Sequence, residues 1–188
     1  MIVGKIAFFV ILVGQIVIRF PYRNNSKTHA ADRQEQLLLL LLTIGAMLLP
    51  FVYIFTDWLS FADYPASGVV VGLGLLLVVV GLWLFWRAHT DLGKNWSSSL
   101  EIYDDHTLIT RGVYERIRHP MYAANWLLML AQALLLSNWI AGLGGLVSFA
   151  LLYFLRVPKE EAMMVQQFGD QYQQYMARTG RVLPKRAA

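Results

Sequence analysis

The sequence predicts an all-α integral membrane protein, with five transmembrane helices followed by a C-terminal amphipathic helix. Three observations predict it. The 188-residue chain is 57% hydrophobic and only 15% charged, with mean hydropathy +0.48, whereas a soluble domain carries about a quarter charged residues. Its apolar residues gather into long runs, near the ~17–25 residues that carry a helix across a bilayer. Lysine and arginine collect in alternate loops between those runs, the pattern of the positive-inside rule. The length fits one domain, 1–188, with three apolar runs in 1–86 and a more polar half in 87–188. Cysteine is absent, which excludes disulfides and thiolate metal sites. The net charge of +4 follows from the loop clustering, so it argues for orientation in a membrane and not for a nucleic-acid partner.

The first span is predicted over residues 2–20, apolar except for Lys5, Gln15 and Arg19. A secretory signal peptide is the rival reading, but Phe20-Pro21-Tyr22-Arg23 offers no small-residue cleavage site. Residues 21–36 read as a basic loop. The second span, 37–56, opens with six leucines, and Pro50 inside it is expected to kink the helix or end it. An acidic turn from Asp57 to Pro65 leads to the third span, 66–86, where Gly68, Gly72 and Gly74 are expected to admit close helix packing. Residues 87–118 form a long polar loop. The runs 121–136 and 139–155 are separated only by Ser137-Asn138, which forces an antiparallel hairpin. From Lys159 to Arg178 the chain is polar but periodic: Met164, Phe168, Tyr172 and Tyr175 fall on one helical face, and Gly180 is the stop signal.

The loops after spans one, three and five carry nearly all the Lys and Arg, and the other loops carry none. This places the N-terminus outside and the polar loop and C-terminus on the cytoplasmic face.

Chemistry is expected in the stretch His106–Tyr122, HTLITRGVYERIRHPMY, a basic block between apolar runs. Pro120 suits the first turn of a helix, which holds His119 at a helix entrance near the membrane surface. Arg156 follows the fifth apolar run, where it either clamps an anion or snorkels as a topology anchor. Glu160 and Glu161 follow one turn later. His106 and His119 have no third ligand at metal spacing. Arg181 lies beyond, on the same face. Gln15 and Gln132 are the sizeable polar side chains recognised within spans.

Two stretches together are more specific than any residue alone. G-V-Y-x-x-x-R-H-P-x-Y and, after the hairpin, E-E-x-x-x-x-x-x-F-G-x-x-Y-x-x-Y resemble the isoprenylcysteine carboxyl methyltransferase family over roughly residues 90–184. Related phospholipid N-methyltransferases share the same half. The resemblance implies an integral-membrane enzyme using S-adenosyl-L-methionine on a lipophilic acceptor drawn from the bilayer. It implies cofactor contacts at His106, Thr107, Leu108, Ile109, Tyr114, His119, Pro120, Met121, Tyr122 and Glu160. It assigns the substrate to Arg156, and the catalytic pair would be Arg156 and Glu160. Eukaryotic members place a glutamine six residues before the His of H-T-L; here the position is Leu100, with Glu101 beside it.

The residues agree with that reading. A soluble methyltransferase would show a βαβ unit with a glycine-rich turn, and Gly72-Leu73-Gly74 lies inside an apolar run instead. O-methylation of an isoprenylcysteine-like carboxylate is expected, with ethanolamine-lipid N-methylation as the alternative. A small transporter or lipid-binding scaffold is the reading from another class, and it calls for ionisable groups in mid-span.

Overall fold

A computed structural model describes residues 2–25, 32–93 and 107–185. Among them the chain is all helix, with no strand. Helix α1 spans Ile2–Arg19. α2 (Arg33–Thr43) and α3 (Leu49–Phe55) are joined by a π turn, Ile44–Leu48, into one crossing. α4 is Gly68–Leu92, α5 Pro120–Leu135, α6 Trp139–Phe168 and α7 Asp170–Arg178. Four of these segments are long and apolar enough to cross a membrane, and the shorter α5 is the fifth. The protein is an all-α integral membrane protein closed by an amphipathic C-terminal helix.

Each start has a local cause. Asp32, Ser67 and Asn138 cap α2, α4 and α6, accepting N–H bonds from Glu35, Val70, and Ile140 with Ala141. Pro120 opens α5. Gly169, at φ 53°, ends α6 in a conformation only glycine adopts freely.

Three boundaries differ from the sequence reading. The second span begins at Arg33 and passes through Pro50, because the π turn just before it widens the helix where the proline ring would strike the preceding turn. α4 runs to Leu92, six residues past the apolar run, since nothing in Arg87–Leu92 breaks a helix. α6 continues through Pro158 to Phe168, so Lys159–Arg178 is not a single amphipathic helix. The break falls at Gly169, and only α7 is separate. The C-terminal end falls where the sequence put it: α7 stops at Arg178 with Thr179 as its extended C-cap, and Gly180 just beyond forms a parallel bridge with Ile117.

α5 is the central post, packed against α4, α6 and α1. Phe85, Ala124, Leu128, Ala131 and Val157 are buried around it. Of the three glycines expected to admit close packing, Gly68 and Gly72 face open space; Gly74 meets Leu135, whose Cγ would lie 2.6 Å from an added Cβ. At the end bearing the hairpin turn, Asn138 Nδ2 donates to Leu59 O and Asp63 Oδ1, both at 2.7 Å. Tyr64 N–H donates to Ser137 O at 3.0 Å. At the basic end the C-terminal segment lies along the block before α5: Arg118 N donates to Gly180 O at 2.8 Å and His119 N to Arg181 O at 2.9 Å.

Candidate active site

The block before α5 is held from three sides. Asp91, at the end of α4, accepts the Val113 N–H at 2.9 Å while pairing with Arg87 at 3.0 Å. Tyr175 of α7 donates its hydroxyl to Tyr114 O at 2.6 Å. Burial pushes the Tyr175 phenol up to about 12 and the Tyr114 phenol well above its ordinary value. Both therefore stay protonated and serve as donors at neutral pH.

His119 is 5% exposed and stands between two carboxylates of α6. Its Nε2 is 3.3 Å from Glu161 Oε1 and its Nδ1 is 3.8 Å from Glu160 Oε1. Successive helix residues point about 100° apart, so the two glutamates have different surroundings. Glu161, 7% exposed, accepts Arg118 Nε at 3.0 Å and Arg181 Nη2 at 2.6 Å. That pairing holds the Arg181 guanidinium above its ordinary pKa. Arg118 also donates to the Met176 and Thr179 carbonyls, so Glu161 ties the C-terminal segment to the His119 block. Glu160, 33% exposed, turns to open space and accepts the Tyr122 hydroxyl at 2.8 Å.

That space is a cavity of about 600 Å³. One arm is polar, walled by Thr107, Leu108, Ile109, Tyr114, His119, Pro120, Met121, Tyr122 and Glu160. Tyr172 and Tyr175, which the sequence places on one helical face, wall it too. The other arm is mostly apolar, walled by Phe8, Ile11 and Ile16 of α1, Leu39 and Leu42 of α2, and Phe149 and Leu152 of α6, with Gln15, Arg19 and Thr43 on the same helices. Arg156 also lines the cavity, one turn before Glu160 on α6.

The structure thus gathers every site residue that the family resemblance implies around one cavity, except His106; Glu161 and Arg181, the other charged candidates, pair with each other and do not line it. His106 lies outside the described residues, as do Leu100 and Glu101. Arg156 has a partner the sequence did not suggest: its Nη1 is 3.1 Å from Glu35 Oε1, with side chains 14% and 13% exposed. Lys159 reinforces that contact, donating to Gln34 Oε1 at 2.7 Å and pairing with Asp32 at 3.6 Å. Asn125, a third polar side chain inside a span, also lines the cavity. Among the described residues no group of three His, Asp or Glu is placed to hold a metal ion.

A polar site at one end of a bundle of apolar, membrane-length helices thus shares a cavity with apolar walls, the architecture of a membrane-embedded ligand site. The chain belongs to the isoprenylcysteine carboxyl methyltransferase (ICMT) family, whose family model matches residues 73–166, half of its length. It is a methyltransferase of that family. It is 28% identical over 131 residues to a probable protein-S-isoprenylcysteine O-methyltransferase of Oryza sativa subsp. indica, covering 69% of each chain. It is 33% identical over 113 residues to the protein-S-isoprenylcysteine O-methyltransferase of Homo sapiens, covering 59% of this chain and 40% of the human protein. A solved structure of the eukaryotic intramembrane Ras methyltransferase ICMT shares the fold, with TM-score 0.56 and 21% identity over 97% of this chain and 72% of that one.

Proposed function

We propose that this protein uses S-adenosyl-L-methionine to O-methylate an isoprenylcysteine-like carboxylate. One observation carries the proposal: the polar arm and the apolar arm are a single cavity, with Arg156 and Glu160 both on its wall. Its volume lies within the ~300–1,000 Å³ usual for small-molecule sites. The polar arm suits the cofactor, because a half-open carboxylate beside a phenol and an imidazole matches a ligand bearing cationic and hydroxyl groups. When bound, S-adenosyl-L-methionine supplies an electrophilic methyl group.

The chain's own residues then have defined tasks. Glu160, held by Tyr122, fixes the donor side. Arg156 holds the acceptor's anion, and the walls of α1, α2 and α6 enclose its lipid tail. A carboxylate is already anionic, so no residue has to remove a proton. Catalysis reduces to alignment and exclusion of water. On this reading 1–188 is one domain, in which 87–188 carries the chemistry and the first three spans complete the acceptor's walls.

The test is calorimetry of the detergent-solubilised protein with S-adenosylhomocysteine, then an acceptor panel. Micromolar binding and methylation of a farnesylcysteine analogue are expected. Methylation of ethanolamine lipids alone would replace the carboxylate reading. Glu160→Ala should weaken S-adenosylhomocysteine about tenfold or more, as loss of a charged hydrogen-bond partner does; unchanged affinity in that variant removes Glu160 from the donor side.

We also propose that the basic end faces the cytosol, since Arg and Lys cluster there. Single cysteines at Ser60 and Lys185 should react with an impermeant reagent from opposite sides of the membrane. Reaction from the same side would defeat that topology.

A further inference from the structure

Arg156 stands between two spaces. It lines the large cavity, and it also lines a narrow cleft between α2 and α6 whose other walls include Glu35, Leu38 and Leu152. Across that cleft its Nη1 lies 3.1 Å from Glu35 Oε1, with both side chains largely buried. At the exposed rim of the cleft, Lys159 donates to Gln34 Oε1 at 2.7 Å and lies 3.6 Å from Asp32 Oδ2.

A buried ion pair is a poor device for merely joining two helices, because desolvation of both charges offsets most of their attraction. The Lys159 contacts already join α2 to α6 at the surface. Glu35 does something that joint does not require: it sets a carboxylate on the guanidinium that lines the cavity. A buried guanidinium needs an anion at every stage of a reaction cycle, and before an acceptor arrives Glu35 is that anion. Two carboxylates crowded on one guanidinium repel each other strongly at low dielectric. Glu160, one turn further along α6, adds to the negative charge. Glu35 also has a way out. It lies in the first turn of α2, between the exposed Gln34 and Gln36. Its backbone N–H is held separately by Asp32 Oδ1 at 2.9 Å, so its side chain can swing to water without unwinding the helix.

We propose that Glu35 is the resident counter-ion of Arg156, and that the acceptor's carboxylate displaces it. This rests on the reading above that Arg156 holds that carboxylate. Methylation reverses the exchange. A lone pair of the carboxylate oxygen forms the new O–C bond, the electron pair of the C–S bond stays with sulfur, and the resulting ester is neutral. A neutral ester cannot compete with Glu35 for the guanidinium, so Glu35 returns and the product loses its hold. Glu35 is a positioning residue and takes no part in methyl transfer. Through it, the charge lost in the reaction becomes the signal for release.

The test is direct binding, without turnover, of N-acetyl-S-farnesylcysteine and of its methyl ester to the full-length protein in detergent. Glu35→Gln keeps the shape and removes the charge. It should bind the acid about tenfold tighter, because no resident anion has to leave, and bind the ester as the unsubstituted protein does. Retained S-adenosylhomocysteine affinity shows that the variant is folded. Weaker acid binding in folded Glu35→Gln would make Glu35 a mere support for Arg156, and unchanged binding would make it a bystander; either result overturns the proposal. A second measurement needs no substitution. Hydrogen exchange in the first turns of α2 should quicken when the acid binds and not when the ester binds. Equal exchange with the two ligands overturns the proposal even if the variant does not fold. Acid binding that Arg156→Ala leaves unchanged removes the underlying reading, and this proposal with it.

Discussion

Arg156→Ala is expected to abolish turnover of a lipid carboxylate while leaving S-adenosylhomocysteine affinity close to that of the unsubstituted enzyme. The guanidinium side chain lines the cavity, one turn before Glu160 on α6. Truncating one partner of a buried, hydrogen-bonded charge pair commonly costs ~2–5 kcal/mol. At about 1.4 kcal/mol per factor of ten, that is roughly thirty-fold to several thousand-fold. Arg156→Lys keeps the charge but loses the planar fork, so it should recover only part of the loss. Glu35 complicates the experiment, because Arg156→Ala also strips that largely buried carboxylate of its ion-pair partner. Pairing Arg156→Ala with Glu35→Gln removes the stranded charge and separates the two effects. If the double variant regains stability but not turnover, Arg156 serves the acceptor. Loss of S-adenosylhomocysteine binding in a folded Arg156→Ala protein would move Arg156 to the donor side, and full activity would leave it a snorkelling anchor.

Glu161→Ala should act on the fold. Its carboxylate holds Arg118, Arg181 and the His119 ring together, and leaving buried charges uncompensated costs ~3–5 kcal/mol. The detergent melting temperature should drop sharply, and the segment after α7 should become open to protease, since Arg118 no longer anchors the Met176 and Thr179 carbonyls. Glu161→Gln should be intermediate, retaining hydrogen bonds without the charge. Glu160→Ala, one residue away, should lose donor affinity with little change in melting temperature. Equal melting temperatures for Glu161→Ala and the unsubstituted protein would refute the hub.

The contrast between those glutamates marks what the sequence could and could not reveal. The spans were legible because apolar runs, Pro120 and the Ser137-Asn138 turn act locally. Their ends were less so. Arg87–Leu92 and Lys159–Phe168 are polar yet helical, because a helix does not end where hydrophobicity does but where a residue such as Gly169 breaks its geometry. Thr107–Ile109, Tyr114, His119–Tyr122, Arg156 and Glu160, which the family resemblance names, line one cavity; their roles are the subject of the variants above. Partners distant in sequence were not legible. Nothing local distinguishes Glu35 from an ordinary first-turn glutamate, although α6 places Arg156 against it 121 residues later. Asn125 reads as one polar residue in an apolar run until α1 brings Gln15 to it.

The shortness of α5 sets how far below the end of α4 the proposed site lies. α5 and α4 leave the same end of the bundle, where the hairpin turn is stitched to the loop before α4. α4 climbs 25 residues from there and α5 only 16, so α5 begins roughly 13 Å below the top of its neighbour at 1.5 Å per residue. Arg156, 17 residues up α6, stands ~25 Å above that floor, almost level with the start of α5. The polar groups at the start of α5 therefore lie roughly 13 Å below the end of α4, in a recess beside the longer helices. On the proposed reading, a lipid acceptor reaches these groups from the side, between the helices, and the water-soluble cofactor is the reactant that has to descend to them.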